Sequence, residues 1–321
     1  MQTNLQARAP GGPAPATRPQ NRMALAAVTR GRIDRPLRTG VYGVPGVGKT
    51  TLGATADRAI FFPAEDGTNH VDVARFPRPE KWSDIFDAIE TLTSESHDFK
   101  TFVVDTLDAL EPLNFRAICD AAGKKSIADF PHGQGYVASV DQWRLLLARL
   151  ERLQEQRGMN VLLLAHAAIR TFANPEGPDF DRYQLKLNEK AAAVVIEWCD
   201  DVLFAQFETF AVDQDGSRKA KGVSGNRVLR TQETAAFKAK NRRGLPSTLP
   251  LSWEDYTAAI RAGRPAAPAK LREEIAALTT ALGDADLTAK VAAAVEKAQD
   301  DAGALARIKD RLSTKVAQKE N

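Results

Sequence analysis

A nine-residue stretch, GVPGVGKTT at positions 43–51, carries the most specific chemical signal in this chain. It matches the pattern G-x-x-x-x-G-K-[ST] at every fixed position. Glycines let backbone N–H groups close around a phosphate, the lysine reaches the outer phosphate oxygens, and the threonine hydroxyl is a ligand for Mg²⁺. The stretch therefore predicts a site for ATP and Mg²⁺. The residues predicted to bind the nucleotide are Gly43, Val44, Pro45, Gly46, Val47, Gly48, Lys49, Thr50 and Thr51.

Three apolar runs end in polar residues that could complete such a site. TFVVD at 101–105 ends in Asp105, a carboxylate able to hold Mg²⁺ together with Thr50. We expect it on a strand beside the strand that precedes the phosphate-binding stretch. AIFFPAED at 59–66 ends in Glu65 and Asp66, and NVLLLAH at 160–166 ends in His166. In isolation, Asp105 could also cap a helix, the two acids could be ordinary loop residues, and the histidine could be structural.

The same runs predict the elements that position these side chains. Strands this apolar, separated by amphipathic helices, are typical of a parallel sheet covered on both faces. After residue 200 the pattern favours antiparallel strands around the turn signal Asp215-Gly216, then a helix with Ser252 as its N-cap. We therefore predict an α/β core over 38–262. The predicted flanking segments are a disordered basic arm (1–37), a linker (263–269) and a small helical C-terminal appendage (270–321).

Charge is unevenly distributed along the chain. Residues 1–38 contain seven Arg and one Asp, and residues 215–245 contain nine Lys or Arg and two acids, whereas 39–214 is strongly acidic. Two basic segments flanking an acidic core favour a polyanionic partner, although either run alone would usually be a solvated surface.

Taken in order, the motifs GVPGVGKTT, FFPAEDG, TFVVDT, GQGY, LLLAHAAIRTF and AKNRRGLP resemble the RecA-like ATPases of bacteriophages, which include the Sak-four group of single-strand annealing proteins. The resemblance covers roughly 38–262 and implies a RecA-like P-loop core. It implies that Glu65 activates the attacking water. It also implies that His166, which stands where RecA has glutamine, responds to the γ-phosphate. AAA+ proteins instead place the catalytic glutamate beside the magnesium-site aspartate, and this chain has Thr106 there.

The resemblance further implies that Lys240 and Arg242, in AFKAKNRRGLP, reach the γ-phosphate held by a neighbouring subunit. The alternative is that this run is a basic DNA-facing patch. It also implies two DNA-binding loops, at 123–136 and after His166, whose cations and aromatic rings suit backbone tracking and base stacking. The DNA-binding residues predicted in them are Lys124, Lys125, Tyr136, Arg170, Phe172, Arg182, Tyr183, Lys186 and Lys190.

These observations predict a DNA-stimulated ATPase that binds single-stranded DNA and acts in phage recombination, annealing, replication or repair. We expect a homo-oligomer with active sites between subunits, and the resemblance implies a single-strand DNA-binding protein as partner. Alternatives are a helicase-like or packaging motor, or a DNA scaffold that binds ATP with negligible turnover. Two cysteines and no apolar run of eighteen residues predict a cytoplasmic protein without a membrane span.

Overall fold

The computed structural model describes residues 23–31, 33–212, 221–263, 268–298 and 302–319. One compact unit spans Asp34–Lys270, and a second contains the described residues before Asp34 and from Leu271 onward. The first 22 residues of the predicted arm, the Asp215-Gly216 turn and residues 264–267 of the predicted linker lie outside the described residues.

The unit Asp34–Lys270 is built on a sheet of ten strands within the described residues. The strands are β1 (Arg38–Gly43), β2 (Ala59–Pro63), β3 (Ala74–Arg75), β4 (Thr101–Asp105), β5 (Asn160–Phe172), β6 (Phe180–Leu185), β7 (Asp201–Val212), β8 (Lys221–Arg230), β9 (Lys240–Asn241) and β10 (Thr248–Pro250). The helices of this part are α1 (Lys49–Ala54), α2 (Asp84–Ser94), α3 (Leu107–Ala121), α4 (Gln134–Arg157), α5 (Glu189–Trp198) and α6 (Trp253–Ala262).

The strand order along the sheet is β10-β8-β7-β1-β5-β4-β2-β3. The strands from β7 to β3 in this order pair in parallel, whereas β8 and β10 continue the sheet in antiparallel pairing. The predicted α/β fold class, a mostly parallel sheet with antiparallel strands at its C-terminal edge, is therefore confirmed. One detail differs from the sequence prediction. Asp105 is not on a neighbour of β1, because β5 lies between β1 and β4.

Helices cover both faces of the sheet and explain why its central strands are apolar throughout. Alternating residues of one strand point to opposite faces, so Phe61 and Phe62 lie in different cores. The face of Phe61 packs against α1 and α6, and the face of Phe62 packs against α2, α3, α4 and α5. This three-layer packing fixes the carboxyl ends of β1, β2, β4 and β5 at one edge of the sheet.

The ends of the long helices follow local sequence signals. The helix α4 stops at Gly158, whose φ of +65° suits glycine and whose N–H bonds to the carbonyl of Gln154. The helix α6 starts after Ser252, whose hydroxyl accepts a hydrogen bond from the N–H of Asp255 at 3.2 Å. The predicted N-cap at Ser252 is confirmed.

The glycine, prolines and polar residues of the segment after His166 had suggested a loop, but the structure shows paired strands there. The strand β5 runs on to Phe172, and β6 returns antiparallel to it, with Ala167 opposite Leu185 and Phe172 opposite Phe180. The far edge of β6 is also held, because the N–H of Tyr183 donates to the carbonyl of Ala236 and that of Lys238 to the carbonyl of Tyr183. The predicted loop is therefore a β5–β6 hairpin followed by α5.

The C-terminal part of the chain is helical, as predicted. It contains α7 (Pro268–Leu282), α8 (Ala285–Ala298) and α9 (Ala302–Lys319). Leu271, Ile275, Leu305 and Leu312 are buried, and Lys309 forms an ion pair with Glu274 at 2.8 Å. Across the described part of the chain, no helix has the length and apolar character needed to cross a membrane.

Candidate nucleotide-binding site

The predicted phosphate-binding stretch connects the end of β1 to the start of α1. Gly46 and Gly48 have φ of +76° and +104°, a region that favours glycine. At Gly43 a Cβ would lie 2.3 Å from the backbone oxygen of Ala205 on β7, so any side chain there would collide with backbone. All three glycines of the stretch thus have a steric reason, and the loop places successive backbone amides before the first turn of a helix.

Lys49 is buried within this loop. Its Nζ donates to the backbone oxygens of Gly43 and Val44, at 3.1 and 3.2 Å, and the residue is 5% exposed. Burial lowers the pKa of Lys49, which means that the ammonium is costly in this position. A phosphate anion beside it would compensate that cost, as expected of a nucleotide-binding lysine.

Thr50 and Asp105 meet as the magnesium prediction requires. The hydroxyl of Thr50 donates to Oδ2 of Asp105 at 2.8 Å. Asp105 is 1% exposed, and its Oδ1 has no hydrogen-bond partner among the described residues. Burial raises the pKa of this carboxyl to about 6, against the lowering effect of the Thr50 hydrogen bond.

The oxygens of Thr50 and Asp105 fit a Mg²⁺ ion whose other ligands come from nucleotide phosphates and water. An unpartnered buried carboxylate oxygen beside a hydroxyl is a suitable donor pair for Mg²⁺, which is usually held by one or two protein groups, water and substrate phosphates. Within the described ranges no cluster of three or more His, Cys, Asp or Glu side chains could hold a metal alone. Nucleotide phosphates and water would therefore supply the remaining ligands.

Glu65 lies beside this pair because β2 is the neighbour of β4. Pro63 is opposite Asp105, and the N–H groups of Ala64 and Glu65 both donate to the carbonyl of Asp105. A Cβ on Gly67 would lie 3.4 Å from Oγ1 of Thr50, 3.5 Å from Oε1 of Glu65 and 3.8 Å from Oδ2 of Asp105. These three oxygens thus surround one small space, which the absence of a side chain at Gly67 keeps open.

His166 lies on the other side of Glu65, at the point where β5 leaves the buried sheet. It is opposite Gly43 of β1, and its Nδ1 is 3.9 Å from Oε2 of Glu65. A closer partner is Asp108 in the first turn of α3, which accepts hydrogen bonds from the backbone N–H and from Nδ1 of His166, at 2.8 and 3.0 Å.

Asp108 is a site residue that the sequence analysis missed. Burial raises the pKa of Asp108, but the hydrogen bonds that Asp108 accepts from His166 lower it. The lowering effects prevail, and the net pKa lies below its ordinary value. The only sequence signal was an acid three residues after Asp105, which is equally typical of the first turn of a helix.

Arg227 on β8 is a second residue near the site that the sequence analysis did not predict. Its Nη1 would be 3.1 Å from a Cβ on Gly48, so the guanidinium lies against the phosphate-binding loop. It also lies 5.6 Å from the ring centroid of Phe207 on β7.

The predicted DNA-binding residues are not equivalent in the structure. Lys124, Lys125, Lys186 and Lys190 are exposed, and Tyr136 is half-buried, with its ring edge-on to Phe115. On the hairpin, Arg170 is partly buried and donates to the carbonyl of Leu187.

Two of the hairpin residues, Arg182 and Tyr183, pack against other side chains of this protein. The side chain of Arg182 is only 11% exposed, lies over the ring of Phe172 at 4.0 Å and pairs with Glu233 at 3.0 Å. The ring of Tyr183 stacks on Phe204 in the core. The main partners of Arg182 and Tyr183 therefore lie inside this chain, and their DNA-binding role stays a prediction.

Lys240 and Arg242 lie by the amino end of β7, whereas the phosphate-binding loop is at the carboxyl end of the sheet. Nζ of Lys240 donates to the carbonyls of Ile196, Glu197 and Cys199, at 2.6 to 2.8 Å, and so satisfies the last turn of α5. Arg242 is more exposed and lies 3.8 Å from Asp200. The three contacts give Lys240 a structural role, and the cross-subunit role of Lys240 and Arg242 stays a prediction.

The cap on α5 leads to a stability prediction. Lys240→Met keeps the aliphatic chain but loses the three hydrogen bonds. We therefore expect the free energy of unfolding, measured in urea, to fall by about 1–2 kcal/mol. Lys238→Met is the matched control, since its ion pair with Glu233 is partly exposed and worth well under about 1 kcal/mol. A variant with unchanged stability but reduced ATP turnover would instead favour the cross-subunit role of Lys240.

The sheet, the phosphate-binding loop and the Thr50–Asp105 pair together define a P-loop nucleotide-binding domain. Residues 35–243 match the AAA domain family, and the chain belongs to that family. Among solved structures, the chain is similar to the crystal structure of the RadB recombinase, with 15% sequence identity and a TM-score of 0.38. That match covers 67% of this chain and 86% of the RadB chain. Comparison with curated protein sequences gives no significant match.

Proposed function

We propose that this protein is an ATP- and Mg²⁺-dependent ATPase that binds single-stranded DNA and promotes recombination or strand annealing, in phage replication or repair. The observation that carries the proposal is the group of Lys49, Thr50, Asp105, Glu65 and His166 at one edge of the sheet. Its five members come from four separate segments of the chain, and the arrangement has the parts that phosphoryl transfer requires.

Each member has a specific task in hydrolysis. Lys49 and the loop amides bind the phosphates, and Thr50 with Asp105 holds Mg²⁺, which neutralises charge on the phosphate oxygens when bound. Glu65 is the general base that orients and deprotonates water, since its carboxylate faces the same space as Thr50 and Asp105. His166 contacts the terminal phosphate from β5, the strand beside β4.

The DNA part of the proposal rests on the exposed cations and on the hairpin. Because β5 is one continuous strand, it leads directly from His166 into the hairpin that bears Arg170 and Phe172. The exposed lysines of the 123–136 loop and of α5 provide charge for phosphate contacts. We further propose a homo-oligomer with Arg242 near a neighbour's nucleotide, and cooperation with a single-strand DNA-binding protein.

The direct test combines two assays on the purified full-length chain. ATP hydrolysis is measured with and without single-stranded DNA, and annealing of complementary strands is followed with and without ATP. We expect DNA to stimulate hydrolysis and the protein to accelerate annealing. Strand separation driven by ATP would favour a motor, and ATP binding with negligible turnover in the presence of DNA would favour a scaffold.

The exposed lysines give a separate prediction about DNA affinity. In Lys124→Gln/Lys125→Gln/Lys190→Gln, affinity for single-stranded DNA should fall. The slope of log affinity against log salt concentration, which is negative, should become less steep by about 2. The control Lys81→Gln/Arg144→Gln/Arg149→Gln removes three exposed cations outside the predicted DNA loops. If both triple variants bind DNA as the wild type does, the DNA site lies elsewhere, with the basic segment 215–245 or the arm as the next candidates.

A further inference from the structure

The contacts of Asp108 fix which ring nitrogen of His166 carries a hydrogen. The side chain of Asp108 is 7% exposed, and its two oxygens accept from the backbone N–H and from Nδ1 of the same residue. An ionised carboxylate can only accept hydrogen bonds. The contact at Nδ1 therefore requires a hydrogen on that nitrogen, in either charge state of the ring.

This assignment limits how the ring can meet a phosphate. A neutral imidazole with hydrogen on Nδ1 offers only a lone pair at Nε2, and phosphate oxygens are acceptors too. The ring can then bind a phosphate oxygen through Nε2 only as an imidazolium, which donates from both nitrogens.

The charged groups around the ring come from several elements. Asp108 is on α3, Glu65 follows β2 at 3.9 Å, and Asp105 ends β4. Opposing them are Lys49 on α1 and Lys186 after β6, whose Nζ is 3.7 Å from Oδ2 of Asp108. Asp108 is the closer of the two acids that face Nδ1, at 3.0 Å against 3.9 Å for Glu65.

We propose that Asp108 is a positioning residue, which holds His166 with hydrogen on Nδ1 so that the imidazolium donates from Nε2 to the terminal phosphate of the bound nucleotide. The proposal rests on the proposed function and deepens it. It assigns a role to an acid that does not itself touch the nucleotide, and it explains how a histidine serves as a phosphate-contacting residue.

The test uses Asp108→Asn, which keeps size and shape but lets the side chain donate as well as accept. The first readout is nitrogen NMR of the full-length protein without nucleotide, with ¹⁵N-labelled histidine and the His166 signals assigned by their loss in His166→Gln. We expect the Nδ1–H tautomer in the wild type at high pH and a shift toward Nε2–H in Asp108→Asn. A wild-type His166 in the Nε2–H form would overturn the proposal, whether or not the protein hydrolyses ATP.

The second readout is the pH profile of ATP hydrolysis, or of ATP affinity if turnover is absent. Asp108→Asn removes the negative charge that faces Nδ1 of His166 at 3.0 Å and so favours the neutral ring over the imidazolium. The decline at high pH should therefore begin at a lower pH in Asp108→Asn than in the wild type. In a His166→Gln background, Asp108→Asn should cause no further change in the profile.

Glu111→Gln is the matched control on the same helix. Glu111 accepts a hydrogen bond from the N–H of Asn188 at 2.8 Å and so anchors the chain after the hairpin without contacting His166. We expect its pH profile to coincide with that of the wild type. Equal displacement of the profile by Glu111→Gln and Asp108→Asn would show that both act through general support of the hairpin, and would overturn the positioning role.

Discussion

Lys49→Met is expected to reduce ATP turnover by about 10²–10³-fold while the protein stays folded. The ammonium is the one cation inside the phosphate-binding loop among the described residues, and removing a preorganised charged donor from a phosphate site typically costs this much. Because burial lowers the pKa of Lys49, its charge opposes folding in the absence of an anion. The variant should therefore be as stable in urea as the wild type, or slightly more stable.

The measurement is steady-state ATP hydrolysis with saturating DNA, together with urea unfolding of each variant. Lys81→Met, which removes an exposed lysine far from the loop, serves as the control and should retain full activity. Near-wild-type turnover by a folded Lys49→Met protein would refute the assignment of ATP hydrolysis to this site.

Glu65→Gln is expected to bind ATP normally and to hydrolyse it about 10²–10⁴-fold more slowly, because the amide cannot accept the proton of the attacking water. The substitution preserves the shape of the side chain beside Thr50 and Asp105. Single-turnover hydrolysis and equilibrium ATP binding, measured on the same preparation, separate loss of chemistry from loss of affinity.

The neighbouring acid provides a close control for this variant. Asp66 follows Glu65 directly, but its carboxylate is largely exposed and pairs with Arg78 at 2.9 Å. Asp66→Asn should hydrolyse ATP within about threefold of the wild-type rate. A loss of less than tenfold in Glu65→Gln, or equal losses in both variants, would show that Glu65 is not the general base.

The proximity of the main candidate residues could be predicted because their positions follow from one topological rule. Asp105, Glu65 and His166 all end apolar runs, and the carboxyl ends of parallel strands meet at one edge of a sheet. Asp108 could not be predicted in this way. Its role depends on α3 starting beside the end of β5, a proximity that emerges only once β5 is placed next to β4.

The hairpin and the capping contacts of Lys240 could not be predicted for a different reason. The segment 173–179 has the glycine and prolines of a loop, so the strands on either side were assigned to the same loop, although pairing with the 236–238 segment holds β6 in the sheet. Lys240 looks like a residue of a basic patch, and its role as a cap depends on carbonyls more than forty residues earlier. Both features depend on tertiary contacts, which local composition does not encode.

The continuity of β5 restricts how the length of the hairpin can change. Residues alternate between the two faces of a strand, so His166, Ala168, Arg170 and Phe172 share one face, while Ile169, which is 61% exposed, lies on the other. Adding or removing one residue between His166 and Phe172 would turn Phe172 to the opposite face, whereas a change of two would preserve its side. Related proteins and engineered variants that keep His166 and Phe172 on the same face should therefore differ by even numbers of residues between these two positions. A variant that differs by an odd number should carry a β-bulge that restores the alternation.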